Sequence, residues 1–408
     1  MKRIISLLLV LCLFLPAISL AAELDEEELT LVEETEDLDE EESDADAPSV
    51  SAEVIASQSL SEEEQDELRN ALESADYIPR DLDAGNLYIN ENILQDNIIN
   101  ILLLGVDTRQ SDLIDEDVKL ADVQMILSID PDNGTIKLSS ILRDTLVVNP
   151  FSGKQSPINY SIQSYDSNNK FHDNPQRAIA TVNYNFEMNI QYYIMINFRG
   201  VAAIVDKIGG IDLDLTEGEA ANINYYLKKN AKKISRTYDN AEAKAARVEL
   251  EVKDGVQHLD GLQALMYARL RQNKTKKKYN LGDDWQRTFR TRNLLDKLLQ
   301  KVLKMDFLDI VDLAGFSMDY VDGNLNLSTM INLITQVMGS GIVSRLGSSD
   351  SIIEQFRIPA EIDGQKTWAY VQEGEWYGKI FMSKRSGNFQ KNIEALHEFI
   401  YGTYYPAD

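Results

Sequence analysis

The chain has 408 residues, 44% of them hydrophobic and 26% charged, with a formal net charge of −27. That is enough length and apolar content for one large domain or two smaller ones. The acidic balance excludes a general nucleic-acid binder, which needs a broad basic surface against the phosphate backbone. The one cysteine, Cys12, lies near the N-terminus, so the rest of the chain has no disulfide and no Cys-ligated metal.

The first residues, MKRIISLLLVLCLFLPAISLAAE, have the layout of an export signal. Lys2 and Arg3 are the positive flank, an apolar run follows, and Ser19-Leu20-Ala21 offers small residues at a cleavage site. Residues 1–22 are read as a signal peptide, with an uncleaved membrane anchor as the rival. The run is short for a span, and Pro16 interrupts it. Either reading places the rest outside the cytoplasm, at the cell envelope. Leu11 stands before Cys12 where a lipid-attachment motif wants a small residue. Glu23 to Asp46 hold fifteen acidic residues and no Lys or Arg, so residues 23–60 are expected to be a disordered acidic stalk. Residues 61–96 read as a linker with a short helix over Ser59–Ser74, capped at Ser61.

The folded part is expected from Asn97. NIINILLLGVD is a buried strand feeding a loop. Val123–Asp130 and Gly134–Leu142 are two further strands joined by the turn PDNG. Asn174-Pro175 starts a helix through about Asn185, with a capping residue before a proline at the first helical position. IQYYIMINF is a fourth strand. RGVAAIVDKIGG is a helix closed by Gly209 and Gly210, and IDLDL is a fifth strand. Residues 217–250 are a polar, helical insertion. LDGLQALMYARLR is a helix ending at two arginines, and Asp284 to about Lys304 is a long amphipathic helix. The tail from Asp306 mixes a helix at LSTMINLITQVM, strands at IIEQFRIPA and TWAYVQ, and a last helix over Asn388–Tyr401. Strands alternating with helices favour an α/β sheet covered on both faces.

The chemistry-bearing residues cluster at the ends of these elements. In GVDTR, Asp107 and Arg109 follow a strand, where ligands of open α/β sheets sit. A turn aspartate and a surface arginine are the ordinary alternative. Asp122 stands at the start of the second strand; such carboxylates are mostly solvated, but two of them with phosphates suit Mg²⁺. Arg143-Asp144 leaves the third strand, either as a fork for a phosphate or as a surface ion pair. Tyr267–Leu295 gathers five arginines and four lysines. In it, Arg269 and Arg271 precede a helix on which Asp284, Arg287, Thr291, Leu295 and Leu298 share one side that passes from polar to apolar. Arg290 and Arg292 diverge from that side, Arg292 as surface, and Lys274–Lys278 form a basic loop. There is no P-loop and no G-x-S-x-G elbow, and His172, His258 and His397 form no ligand motif. Carboxylates with many arginines are the equipment for stabilising a pyrophosphate by position and charge.

Five blocks carry a resemblance: NILLLGVDTR, ADVQMILSIDPDNGTIKLSSILRDT, YYIMINFRGVAAIVDKIGGIDLDL, HLDGLQALMYARLRQ and DDWQRTFRTRNLL. In their order and spacing, over roughly Ile99 to Leu303, they resemble the LytR–CpsA–Psr family. The resemblance implies a three-layer α/β/α sandwich with a mixed central sheet. It implies an extracytoplasmic phosphotransferase that moves a glycopolymer from undecaprenyl pyrophosphate to peptidoglycan, working at the membrane surface and with pyrophosphate hydrolysis as a side activity. Asp107 and Asp122 would hold Mg²⁺. Arg143, Arg269, Arg271 and Arg287 would grip the pyrophosphate, with Arg109 and Thr291 nearby. Asp107, Arg143 and Asp284 would be catalytic, Asp284 orienting the arginines or serving as base. Residues 97–305 would be the catalytic domain and 306–408 an extension packed on it. Four positions depart from the family pattern: Ala121 and Val123 replace hydroxyl residues beside Asp122, Leu142 replaces a proline, and Thr291 stands where glutamine is usual. A non-catalytic protein that binds polyprenyl phosphates is the alternative.

Overall fold

The computed structural model describes residues 62–73, 79–93, 97–106, 120–133, 135–165, 171–237, 249–270, 273–275, 277–281, 305, 307–326 and 354–407, together with positions 290, 293, 294, 297, 298, 301, 329 and 330. The expected signal and stalk lie outside these residues. Helix α1 (Glu62–Glu73) agrees with the expected linker helix.

Strands β1 (Ile99–Val106), β2 (Ala121–Asp130) and β3 (Thr135–Ile141) form an antiparallel meander. Two hairpins follow: β4 (Leu146–Val148) with β5 (Gln155–Pro157), and β6 (Gln163–Tyr165) with β7 (Phe171–Asp173). Helix α2 (Pro175–Phe186) leads into β8 (Tyr192–Asn197), which joins β1 in parallel. Pro175 takes the first helical position as expected, but the Asn174 side chain makes no capping bond. Proline has no N–H there, so one donor fewer needs a cap. Helix α3 (Phe198–Lys207) is capped instead by Asn197, whose side chain accepts from Gly200 N at 2.9 Å.

Strand β9 (Ile211–Leu215) does not enter the central sheet. It pairs with β10 (Gly255–Leu259) as a separate ribbon around helix α4 (Glu217–Thr237). Helix α5 (Gly261–Ala268) starts with a capping box between Asp260 and Gln263. A Cβ on Gly261 would lie 2.0 Å from the Ala202 carbonyl oxygen, so glycine is what lets α5 cross α3. Helix α6 (Phe307–Met318) precedes β11 (Val321–Gly323), and β12 (Glu354–Ile358) follows. The short hairpins β13–β14 (Glu361–Ile362, Gln365–Lys366) and β15–β16 (Ala369–Tyr370, Ile380–Phe381) precede helix α7 (Asn388–Tyr401).

The six-stranded sheet has the order β11-β8-β1-β2-β3-β12. Its β1–β8 and β3–β12 pairs are parallel and the rest antiparallel, so the sheet is mixed. Both edge strands come from beyond residue 305, and the sheet therefore crosses the expected boundary at 305/306. Alternation along β1 sends Ile101 and Leu103 into one core, with α3 and α5, and Leu102, Leu104 and Val106 into the other, with α2 and α7. Burial on both faces explains the unbroken apolar run of this strand. The fold is the three-layer α/β/α sandwich expected. Among the described residues, no helix is long and apolar enough to cross a membrane.

Candidate active site

The end of the sheet where β1 stops, β2 begins and β3 leaves is held by backbone bonds. After Ile141 the chain turns, with Thr145 N donating to Leu142 O at 2.9 Å. Three neighbours fix this turn. Leu142 N donates to Ile358 O at 2.9 Å, Asn159 N to Arg143 O at 3.1 Å, and Ile380 N to Asp144 O at 3.0 Å. Gln124, buried on β2, donates to Ile158 O at 2.7 Å and to Ser161 Oγ at 2.9 Å, which holds the 3₁₀ turn Ile158–Tyr160 against the sheet.

On this frame four charged side chains form a string. Arg143 Nη1 lies 3.4 Å from Asp122 Oδ1, and Arg143 Nε lies 3.7 Å from Asp144 Oδ2. Lys379, from the connection between β15 and β16, reaches the other oxygen of Asp144. The side chains of Arg143 and Asp122 are each 19% exposed, and that of Asp144 is 6% exposed. A partly dry, solvent-open edge of this kind strengthens charge–charge interactions without closing the site to a ligand. Asn159 adds a fifth group. Its Nδ2 is 3.5 Å from Asp122 Oδ1, and its buried Oδ1 has no hydrogen-bond partner among the described residues.

The structure thus brings two of the expected residues, Asp122 and Arg143, into contact. Arg269 sits at the C-cap of α5, exposed, its backbone N–H donating to the carbonyls of Leu265 and Met266. Asp107, Arg109, Arg271, Asp284, Arg287 and Thr291 lie outside the described residues. Tyr267, which precedes the arginines, is pushed up to about 12 by burial and keeps its proton at neutral pH. Its hydroxyl accepts from Asn293 Nδ2 at 3.1 Å.

Arg290 has a different place from the diverging helix face expected for it. It is 2% exposed. Its Nη1 bonds Glu219 Oε1 at 3.1 Å and Leu281 O at 2.9 Å, and its Nη2 bonds Leu270 O at 2.8 Å. It ties the two ends of the basic stretch to α4. Helical periodicity put it off the apolar stripe, and no sequence pattern announces a buried arginine whose partners are carbonyls.

Lys379 and Asn159 were also missed. Asn159 follows a short strand in a run of ordinary turn residues. Lys379 lies 236 positions from Arg143 in the sequence, and the Ile380–Asp144 backbone bond helps to bring it back.

The donor set can be tested against the expected Mg²⁺. A carboxylate oxygen of Asp122 and the buried amide oxygen of Asn159, which has no hydrogen-bond partner among the described residues, are the hard oxygen donors Mg²⁺ prefers, with the Asn159 Nδ2 rather than its Oδ1 facing Asp122. Among the described residues no three His, Cys, Asp or Glu converge.

An α/β/α sandwich with alternating acids and bases at one strand end of a mixed sheet is the class that fold and site define. The chain belongs to the LytR_cpsA_psr family, whose model matches residues 54–378. Among curated relatives, the polyisoprenyl-teichoic acid–peptidoglycan teichoic acid transferase TagU of Bacillus anthracis is 27% identical over 225 residues, 55% of this chain and 59% of the relative. Biofilm regulatory protein A of Streptococcus mutans is 24% identical over 332 residues, covering 76% of this chain and 70% of that protein. The chain thus spans little more than half the length of the transferase. Among solved structures, Bacillus subtilis TagV has a TM-score of 0.47 at 20% identity, covering 76% of this chain and 99% of its own. TagT with bound octaprenyl pyrophosphate lipid has a TM-score of 0.45 at 16% identity, covering 77% and 96%.

Proposed function

We propose that the protein is a Mg²⁺-dependent phosphotransferase of the cell envelope. It would move a glycopolymer from a polyprenyl pyrophosphate, undecaprenyl pyrophosphate by the family resemblance, to a hydroxyl of peptidoglycan. The observation that carries this reading is the string Asp122–Arg143–Asp144–Lys379 at the sheet end, in a chain of this family. An arginine held between two carboxylates is oriented in advance, and orientation in advance is the larger part of electrostatic catalysis.

In the proposed reaction the C6 hydroxyl oxygen of a muramic acid residue attacks the sugar-side phosphorus. A new P–O bond forms, the bond from that phosphorus to the bridging oxygen breaks, and polyprenyl phosphate leaves with the electron pair. The hydroxyl proton passes to a carboxylate, for which Asp284 is the candidate. Arg143 binds the non-bridging oxygens and offsets the charge that accumulates on them. Asp144 balances the guanidinium charge from 3.7 Å, and Lys379 neutralises Asp144 so that it does not repel the phosphates. Arg269, Arg271 and Arg287 extend the clamp along the pyrophosphate, with Arg109 and Thr291 at its edge. Asp122, with Asp107 and the amide oxygen of Asn159, would hold Mg²⁺, which when bound polarises the phosphoryl oxygens and shields the leaving group.

The test is phosphate transfer from a synthetic polyprenyl-pyrophosphate glycan to a peptidoglycan fragment, with and without Mg²⁺. Chelation should abolish turnover, and Asp122→Asn should raise the Mg²⁺ concentration needed. Lipid binding without any transfer would overturn the enzyme reading in favour of a carrier-lipid binding protein.

A further inference from the structure

The opposite end of the sheet, where β1 begins, carries a second concave site. It is a cavity of about 640 Å³ between the segment before β1, the C-terminal end of α2 and the start of α7, within the range of ligand pockets. The eight residues of β1 run roughly 26 Å from one end of the sheet to the other at about 3.3 Å per residue.

Its walls are fixed by amides already committed to backbone. Asn183 Nδ2 donates to Leu87 O and Ile190 O, and its Oδ1 accepts from Ile190 N. Asn90 Nδ2 donates to Glu187 O and Tyr405 O. The pocket is therefore preformed, and the groups it offers a ligand are others. Glu91 and Lys384 are exposed on its lining, and Glu187, whose Oε2 accepts from Tyr404 Oη and Ala407 N, adds a second carboxylate.

Its rim is aromatic. Tyr88 and Tyr184 line it and are 44% and 47% exposed. Their ring centroids are 5.4 Å apart, at 80° to each other. Phe151, 39% exposed, extends the cluster, with its ring 6.1 Å from Tyr88 and edge-on to it. The central ring is held at a conformational cost. Tyr88 has φ +53°, a left-handed backbone that a bulky side chain rarely takes and that structures retain mainly where a side chain has to be presented.

We propose that this cavity is a saccharide-binding subsite. A sugar ring has an apolar C–H face, which lies against an exposed aromatic ring, and hydroxyls around its edge, which exchange hydrogen bonds with a carboxylate and an ammonium. Two carboxylates against one ammonium disfavour a polyphosphate, whose site would be cationic, and leave a neutral saccharide as the ligand that suits the lining. Placed away from the phosphates, the subsite would hold a distal part of a glycan chain. Its ligand class rests on the glycan-transfer reading above, but its existence does not.

The experiment is calorimetric titration of the full chain with two soluble probes, an N-acetylglucosamine tetrasaccharide and a glucose tetrasaccharide, without lipid or Mg²⁺. Saturable binding of the first alone assigns the site to an acetylated strand of the peptidoglycan type, and of the second alone to a neutral-hexose polymer. Tyr88→Gly and Tyr184→Ala should each weaken binding about tenfold, the scale of one aromatic contact. Glycine accepts a positive φ, so Tyr88→Gly should keep or raise the melting temperature, which separates loss of the ring from loss of the fold. Arg143→Ala should bind the probes like the parent. No saturable binding of either probe, or full affinity in both tyrosine variants, would overturn the proposal. Because transfer activity is not the readout, failure of transfer and failure of this subsite are distinguishable.

Discussion

The two ends of the central sheet are built from different polar chemistry. Where β1 stops, the polar groups are charges: Asp122, Arg143, Asp144 and Lys379 touch in series at a partly exposed edge. Where β1 begins, the buried polar groups are amides and hydroxyls. Ser128 Oγ donates to Asn100 Oδ1 at 2.6 Å, and Asn100 Nδ2 donates to Asn189 Oδ1 and to Tyr401 Oη, each at 2.8 Å. Asn183 binds three backbone groups nearby. A neutral amide that satisfies backbone stabilises a fold cheaply, because little desolvation is lost. Charges at an open edge add little stability and are better explained by a ligand. The first end is thus expected to govern chemistry and the second to govern stability.

The largest expected effect exchanges these roles. Arg143→Ala should lower transfer about 10²- to 10³-fold, the cost of removing one preorganised charge stabiliser, while the melting temperature stays close to the parent's. Asn183→Ala should do the reverse. It strips partners from three backbone groups and should cost about 3 kcal/mol in chemical denaturation, with kcat of the folded fraction unchanged. If Arg143→Ala unfolds the protein, or Asn183→Ala removes activity from a folded sample, the division between the two ends is wrong.

A smaller effect tests whether Lys379 belongs to the chemical end. Lys379→Ala should lower kcat about tenfold by leaving Asp144 unneutralised beside the phosphates, a penalty of about 1.4 kcal/mol. Lys379→Arg should recover most of it, which a merely structural contact would not require. Equal kcat in Lys379→Ala and the parent would confine the string to its first three members.

Much of this was legible in the sequence, and what was not has physical causes. β1, β2 and β3 show as apolar runs with a turn because their burial is a local pattern. α7 begins and ends at the residues expected, since Gly387 and Gly402, both at positive φ, flank it. Asp122 and Arg143, singled out because strand ends are where sheet proteins place ligands, do stand together at one. β9 is the fifth strand expected, but its partner β10 is not legible: its alternating IDLDL pattern is that of a half-exposed ribbon, and periodicity does not name a partner. The expected strand at IIEQFRIPA is β12, but its place at one sheet edge, like β11 at the other, rests on pairing across more than a hundred residues, which leaves no local mark. Arg290, Asn159 and Lys379 owe their places to long-range backbone bonds, and no spacing rule reaches them.

The smallest effect concerns the amide end and its dependence on pH. His397 on α7 is buried, 0% exposed, and its two ring nitrogens have opposite duties. Nδ1 accepts from Tyr405 N at 3.2 Å, so it is unprotonated, and Nε2 donates to Phe186 O at 2.9 Å. The neutral ring is the one that joins α7, α2 and the C-terminal segment. Burial lowers its pKa below the ordinary value, against opposing contributions from the Phe186 carbonyl and Glu187. A folded-state pKa below the unfolded one means that the unfolded chain takes up the proton first. The stabilisation is therefore complete above about pH 6.5, the ordinary histidine value, and declines as pH falls below it. A proton on Nδ1 also removes the acceptor for Tyr405 N. Urea unfolding between pH 7.5 and pH 5 should show this decline, and His397→Phe, less stable at every pH, should show a shallower one. Parallel pH profiles for the two proteins would remove His397 as the cause. A matching fall in transfer for folded protein across that range would mean that the two ends of the sheet are coupled.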